Sequence, residues 1–276
     1  MPWELPRNLD TPALVVDLSV LEANVASMAT HLADRGIALR PHAKTHKSIE
    51  IARRQCDAGA VGLTVATLGE AEVFAAAGFD DLFIAYPLVA LGPKVERLRA
   101  LAERSRLRVG VDSSEAAAAL GRTGCVGRGI EVLIELDSGQ HRSGVAVREA
   151  PEVAAACRDA GLRVVGVFTF PGHAYAEPGA AARAALDEAR VLSEGESALR
   201  GAGYEIEVRS GGSTPTVRHA SAAPHEEVDH AAVVTHEQRP GVYVFNDRVQ
   251  VAIGSCRTED VALVVAATVV SRAGPG

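Results

Sequence analysis

The feature that most constrains the fold of this chain is a regular alternation of short β-branched runs with alanine-rich stretches of helical periodicity. The runs predict eight strands, at residues 37–42, 61–65, 81–85, 107–111, 131–136, 164–168, 205–209 and 242–245. The stretches between them predict helices that include residues 49–58, 68–77, 114–120, 151–160 and 180–200. Strands that alternate with helices form parallel sheets, and eight such units favour an α/β fold of the closed (β/α)8 TIM type over an open sheet.

Both ends of the chain carry segments that are surplus to the eight units. A strand-like unit at 11–17 and an amphipathic helix at about 18–35 come before the first predicted barrel strand. Further strand-like segments follow the last one, at 248–253 and 260–271. We therefore expect a barrel over residues 18–246 and an incomplete second β domain formed by residues 1–17 and 247–276.

The composition of the chain argues against some classes of binding partner. The chain has 276 residues, 47% of them hydrophobic, which is enough for one large core. Its net charge of -7 and its scattered lysines and arginines argue against nucleic acid. No apolar run suits a signal peptide or a membrane span, and the four cysteines include no CxxC pair. These features predict a cytoplasmic protein that binds a small molecule and neither nucleic acid nor a membrane.

The segment after the first predicted strand is the first candidate for chemistry, because barrel enzymes place their active sites at the carboxyl ends of strands. Residues 40–47, Arg-Pro-His-Ala-Lys-Thr-His-Lys, crowd several cationic side chains into one turn. Nearby positive charge and burial both lower the pKa of an ammonium group, so Lys44 can become a neutral amine nucleophile. The alternative is a solvated basic turn.

A second strand end carries Ser-Gly-Gly-Ser-Thr-Pro-Thr at 210–216, a composition that suits phosphate binding by backbone amides and hydroxyls. The residues predicted to bind the phosphate group here are Ser210, Gly211, Gly212, Ser213 and Thr214. Gly241 and Tyr243, in the Arg-Pro-Gly-Val-Tyr stretch that opens the last predicted strand, are candidates for the same anion. The alternative is an ordinary pair of glycine-containing turns.

Three further candidates follow other strand ends. Arg142 can donate a hydrogen bond to a phenolate oxygen, His173 can lie against a planar ring, and Tyr175 can hydrogen-bond to a cofactor or substrate. Each has a simpler interpretation as a surface arginine, a packed histidine or a tyrosine at the edge of the core. Their recurrence at strand ends favours the functional interpretation.

Together these motifs resemble the fold-type III pyridoxal-phosphate enzymes of the D-threonine aldolase and D-serine dehydratase family, whose barrel is like the alanine racemase N-terminal domain. The similarity spans nearly the whole chain and rests on the stretches DTPAL (10–14), RPHAKTHK (40–47), ATLGEAE (66–72), AYPL (85–88), GHAY (172–175), SGGSTPT (210–216) and RPGVYVFND (239–247). It implies that pyridoxal 5'-phosphate forms a Schiff base with Lys44, that the 211–214 loop and Gly241 hold its phosphate, and that Arg142 faces its phenolic oxygen. Lys44, His173 and Tyr175 are then the predicted catalytic residues.

The resemblance also implies that the N-terminal strand joins the C-terminal β domain and that the protein is a homodimer. It predicts a lyase that acts on D-3-hydroxy amino acids, either splitting D-threonine to glycine and acetaldehyde or dehydrating D-serine to pyruvate and ammonia. The alternatives are an amino-acid racemase, a non-catalytic pyridoxal-phosphate-binding protein, and a barrel that binds another phosphate.

The family's divalent metal, Mn or Zn, is bound by a histidine and a second ligand two residues later. This sequence contains no His-x-Cys, His-x-Asp or His-x-His, and it ends soon after Arg272, so we expect the metal ligands to be absent. A substitute metal site among four histidines that lie near one another in the sequence is disfavoured, because titratable loop residues are usually solvated. Those histidines are His219, His225, His230 and His236.

Overall fold

The computed structural model describes residues 6, 8–125, 130–220 and 235–272. The strands in this part of the chain are β1 Ala13–Val16, β2 Ala38–Leu39, β3 Leu63–Val65, β4 Asp81–Pro87, β5 Arg106–Val111, β6 Ile130–Glu135, β7 Arg163–Phe168, β8 Val208–Gly211, β9 Glu237–Gln238 and β10 Leu263–Ala266. The α-helices are α1 Leu18–Ala33, α2 Ile49–Asp57, α3 Leu68–Ala76, α4 Lys94–Ala102, α5 Ser114–Gly121, α6 Ala150–Asp159, α7 Ala180–Gly201 and α8 Arg248–Ala252. No helix in the described ranges is long and apolar enough to cross a membrane.

Strands β2 to β9 form one parallel sheet in the order β2-β9-β8-β7-β6-β5-β4-β3. The two ends of this order meet, because Val61 N donates to Leu39 O at 2.9 Å and His42 forms a parallel bridge with Thr64. The outward side chains of the strands pack against the surrounding helices, as Leu82, Leu107 and other buried residues do in the largest apolar cluster. The predicted TIM-type barrel is confirmed.

The N-terminal strand lies outside the barrel. Strand β1 pairs antiparallel with β10, with Ala13 opposite Ala266 and Val16 opposite Leu263. This pairing is the one that the resemblance implied for the surplus N-terminal strand. The division into a barrel over 18–246 and a partial domain of 1–17 with 247–276 stays a prediction.

Two of the predicted strands are wrong. Residues Val242–Val244 form a 3-10 helix, and Arg248–Ala252 form α8, which begins where the Asp247 side chain accepts a hydrogen bond from Gln250 N at 2.8 Å. The eighth barrel strand is Glu237–Gln238, which has no apolar alternation. Both of its residues are buried and face polar partners, so the hydrophobic pattern that marks ordinary strands is absent.

The barrel encloses the carboxylate of Glu237, at the centre of a network of charged hydrogen bonds. Arg40 Nε donates to Glu237 Oε2 at 2.8 Å, and Arg108 Nη1 donates to the same oxygen at 3.2 Å. Ser210 Oγ donates to Glu237 Oε1 at 2.7 Å and accepts a bond from Arg239. Burial by itself raises the pKa of Glu237, but Arg40 and Arg108 outweigh it, so the pKa lies below its ordinary value.

We expect Glu237→Ala to lower the free energy of unfolding by roughly 3 to 5 kcal/mol, because Arg40 and Arg108 lose a buried counter-charge. Urea unfolding at neutral pH measures this. The control is Glu207→Ala, which breaks a half-exposed pair with Arg163 and should cost less than about 1 kcal/mol. Because the pKa of Glu237 is lowered on folding, the difference between wild type and variant should shrink as pH falls below 4.5. Equal losses in the two variants would contradict the proposed role of the network.

Candidate active site at the carboxyl end of the barrel

The segment after β2 is fixed by its own histidines. Residues Ala43–Thr45 form a 3-10 helix that begins at His42, whose Nδ1 accepts a hydrogen bond from Lys44 N at 3.4 Å. Burial, the Lys44 charge and Arg239 hold the pKa of His42 well below its ordinary value, so the ring is a neutral acceptor. His46 Nδ1 likewise accepts from Ser48 N at 3.0 Å. These contacts give both histidines a structural role in presenting Lys44.

The Lys44 amine lies at the mouth of the barrel in a cationic and aromatic environment. Its Nζ is 5.3 Å from the centre of the Phe170 ring, and the Arg142 guanidinium is 5.1 Å from the same ring. Burial lowers the pKa of Lys44, and the charges of Arg142 and Arg239 lower it further, against the opposing effect of Glu70. The structure therefore brings together the two predicted residues Lys44 and Arg142, and it shifts the Lys44 amine toward its neutral form although the residue is partly open to solvent.

The loop at 210–216 begins at the end of β8. Ser210 directs its hydroxyl into the barrel network described above, toward Glu237. Beyond it, Thr216 Oγ1 accepts a hydrogen bond from Ser213 N at 3.0 Å, and Thr214 Oγ1 accepts one from Tyr243 N at 3.1 Å. The hydroxyls of Ser213 and Thr214 are thus held in a compact turn.

Tyr175 connects this loop to the lysine. It ends the 3-10 helix Gly172–Tyr175, and burial raises the pKa of its phenol, while Thr214 and Ser213 lower it. The Tyr175 ring is 6.4 Å from the Phe170 ring, which in turn lies beside Lys44. The loop, Tyr175 and Lys44 therefore belong to one continuous site.

His173 and Tyr243 contact residues outside the loop at 210–216. His173 Nε2 lies 3.3 Å from Asp187 Oδ2, and its ring packs on Gly139, where an added Cβ would be 3.3 Å from Cε1. The Tyr243 hydroxyl accepts a bond from Gln55 Nε2 at 2.9 Å, so this phenol points toward α2.

Gly241 lies against the lysine segment. A Cβ at this position would lie 2.9 Å from Thr45 Oγ1 and 3.0 Å from His42 O. Such contacts are too short for a real side chain, so the close approach of the two segments requires glycine here.

Buried charges complete the site, and the sequence reasoning did not select them. Arg239 Nη2 donates to Thr169 O at 2.7 Å, and burial lowers the pKa of Arg239 to about 10, opposed by Glu237. Glu135 accepts a bond from Ser143 Oγ at 2.8 Å, and its other oxygen has no hydrogen-bond partner among the described residues; burial raises its pKa to about 7. The sequence does carry a signal for these two residues: Glu135 is a charged residue within a strand, and Arg239 is a charged residue directly after one.

The donor set fits pyridoxal phosphate. An amine with a lowered pKa suits an aldehyde, clustered hydroxyls suit a phosphate group, and the Arg142 guanidinium suits a phenolate oxygen. A metal has no comparable set: the described residues contain no group of three or more His, Cys, Asp or Glu side chains that could bind one. His236 Nδ1 accepts from Arg209 N at 3.0 Å, while His225 and His230 lie outside the described residues.

Known proteins share this fold and sequence. Residues 16–249 match the family described as alanine racemase, N-terminal domain. The chain is 43% identical over 272 residues to D-threo-3-hydroxyaspartate dehydratase of Delftia sp. strain HT23, covering 95% of this chain and 68% of the relative. It is 34% identical over 256 residues to D-threonine aldolase of Arthrobacter sp., covering 89% of this chain and 64% of the relative.

Solved structures agree. The Delftia dehydratase superposes with a TM-score of 0.82 at 41% identity, covering 94% of this chain and 67% of the other. D-threonine aldolase from Filomicrobium marinum superposes with a TM-score of 0.80 at 31% identity, covering 96% of this chain and 71% of the other. A variant of the dehydratase was solved in a metal-free form. The chain thus spans about two thirds of the length of these relatives.

We expect Arg142→Gln to raise the pKa of Lys44, because it removes the largest charge effect that lowers it. The change should be moderate, since Arg142 is solvent-exposed. Competitive labelling of lysines across a pH series, read by peptide mass spectrometry, measures the reactivity of the Lys44 amine. Arg148→Gln, which removes an exposed arginine paired with Glu149, is the matched control. An unchanged labelling profile of Lys44 in Arg142→Gln would contradict this account.

Proposed function

The chain belongs to the alanine racemase N-terminal domain family, and on that premise we propose that it is a pyridoxal-phosphate-dependent lyase acting on D-3-hydroxy amino acids. The observation that carries the proposal is the Lys44 amine at the barrel mouth, beside Arg142 and on the same aromatic ring. The homology supplies the reaction class, since relatives that share 43% and 34% identity are named as a dehydratase and an aldolase of such substrates.

Three groups of residues would hold the cofactor. Lys44 would bind its aldehyde covalently, Ser213 and Thr214 with the backbone near Gly241 would hold its phosphate, and Arg142 would face its phenolic oxygen. When bound, the pyridine ring accepts electron density that develops at the substrate Cα.

Lys44 also has a role as a base. Displaced by the substrate amine, its Nζ would take the Cα proton, a step that dehydration requires, and its lowered pKa suits this. Tyr175, whose pKa is affected by Thr214 and Ser213 of the loop, and His173, close to Asp187, are the proposed groups that exchange protons with the β-hydroxyl. Retro-aldol cleavage would instead need a proton to leave that hydroxyl.

Dehydration is the proposed reaction, because the dehydratase relative has the higher identity and coverage. We propose D-threo-3-hydroxyaspartate or D-serine as substrate, in a cytoplasmic homodimer. The described residues offer no set of ligands for the family's divalent metal, so Mn or Zn enters only as an addition to the activity assay. All four cysteines are free, which agrees with a reducing compartment.

We expect the purified chain to bind pyridoxal phosphate with a visible absorbance band, and borohydride reduction to fix the adduct on Lys44. Peptide mapping identifies the site. Lys44→Ala should abolish the adduct, whereas Lys47→Ala, which removes an exposed lysine paired with Glu70, should retain it. A reduced adduct at another lysine, or none, would overturn the cofactor assignment.

Turnover separates the remaining candidates. With Mn or Zn added, dehydration of a D-3-hydroxy amino acid releases ammonia and a keto acid, and aldol cleavage releases glycine and an aldehyde. Conversion of a D-amino acid to its L form without loss of amino acid would identify a racemase, and binding without turnover would identify a carrier. Ammonia release from D-threo-3-hydroxyaspartate is the expected result.

A further inference from the structure

Glu188 is a buried carboxyl group that α7 places behind the 211–216 loop, and the chemistry above does not use it. Its side chain is only 3% exposed, and unlike Glu237 it forms no ion pair with any described residue. A buried carboxyl without a cation at contact distance favours its neutral form. Burial accordingly raises the pKa of Glu188 to about 7, although a hydrogen bond from Gln238 and the charge of Arg239 oppose this.

The glycine pair of the loop is shaped by Glu188 and its partner. Gln238 Nε2 donates to Glu188 Oε1 at 2.7 Å, and both side chains lie against the loop backbone. A Cβ on Gly211 would overlap Glu188 Oε1, and a Cβ on Gly212 would overlap Gln238 Oε1. Gly212 also has a φ of +101°, which disfavours other residues. The two glycines thus allow a carboxyl and an amide to support the loop from below.

A chain of hydroxyl groups leads from Glu188 toward the mouth. Thr216 Oγ1 lies 3.3 Å from Glu188 Oε2 and 3.0 Å from Ser213 Oγ, and it already accepts the Ser213 N–H. The Ser213 hydroxyl also lowers the pKa of the Tyr175 phenol, whose ring lies 6.4 Å from the Phe170 ring beside Lys44. The one proton of the Thr216 hydroxyl therefore has three competing acceptors: Glu188 Oε2, Ser213 Oγ and the Ser213 carbonyl oxygen at 3.3 Å.

The ionisation of Glu188 decides this competition. An ionised Glu188 takes the Thr216 proton, and the Thr216 oxygen then becomes an acceptor that draws the Ser213 proton away from the mouth. A neutral Glu188 donates to Thr216, Thr216 donates to Ser213, and the Ser213 proton is free for an acceptor on the Lys44 side.

We propose that Glu188 is a positioning residue for a phosphate group, and that in its neutral form it orients the Thr216 and Ser213 hydroxyls so that Ser213 donates to that group. The inference rests on the proposed function, because it takes this phosphate to be that of pyridoxal phosphate. Ionised Glu188 would reverse the hydroxyl chain and place a negative charge beneath the phosphate dianion. Arg239 is the charged group that reaches Glu188; the other facing residues, Gly212, Thr216 and Gln238, do not titrate.

The first test compares the affinities of three chains for pyridoxal phosphate and for pyridoxal, which lacks the phosphate group. Glu188→Ala should weaken pyridoxal phosphate binding by about tenfold or more while weakening pyridoxal binding far less. Glu188→Gln keeps the shape, donates to Thr216 and should restore the wild-type preference. Glu194→Gln, an exposed position on the same helix, is the matched control. The full chain is used, and circular dichroism confirms that each variant folds.

The second readout is pH. The affinity of wild type for pyridoxal phosphate, divided by that of Glu188→Gln at the same pH, should fall as pH rises through about 7, because only wild type ionises there. This ratio cancels the titrations of the cofactor and of Lys44. A flat ratio, or equal losses for the two ligands in Glu188→Ala, would overturn the role of Glu188 and leave the proposed function standing. Failure of wild type to form the Lys44 adduct would overturn both.

Discussion

The ion-pair network around Glu237 is the constraint on which the barrel and its mouth depend. Glu237 lies on the short strand β9, and its carboxylate binds Arg40 after β2 and Arg108 of β5, across the interior. Arg40, which follows β2, also binds Asp81 of β4 at 2.6 Å, so one guanidinium joins three strands near the two ends of the strand order. Such buried charges tolerate little displacement, because an unpaired charge in the interior is strongly destabilising. The network therefore fixes the register in which the strand ends present their loops.

Arg239 connects the ion-pair network to the candidate active site. It follows β9 directly, donates to Ser210 and Thr169, and lies over the Phe83 and Phe168 rings at 5.5 and 5.3 Å. From there its charge lowers the pKa of Lys44 and reaches Glu188 behind the loop. The amine and the carboxyl are both shifted toward their neutral forms, chiefly by burial. Burial in the fold therefore lowers the pKa of Lys44 on one side of the loop and raises the pKa of Glu188 on the other.

Most of the architecture could be predicted from hydrophobic periodicity, because the outward faces of seven predicted strands pack on helices and β2 to β8 overlap them. The exception has a physical cause. Glu237 and Gln238 turn both side chains toward polar partners, so β9 has no apolar signal, while the apolar Val242–Val244 forms a 3-10 helix that buries Tyr243 and Val244. In the site, Lys44 and the hydroxyl loop were found from composition, whereas Glu135 and Glu188 were not.

The sequence by itself determined the repeated βα order, the basic segment around Lys44 and the hydroxyl-rich loop, because each is a local pattern of neighbouring residues. Only the tertiary structure decided which charges meet. Arg40 and Glu237 are 197 positions apart, and Gln238 and Glu188 are 50 apart, yet each pair is in hydrogen-bond contact. Pairing and protonation depend on distance and burial in the folded chain, and local sequence carries neither.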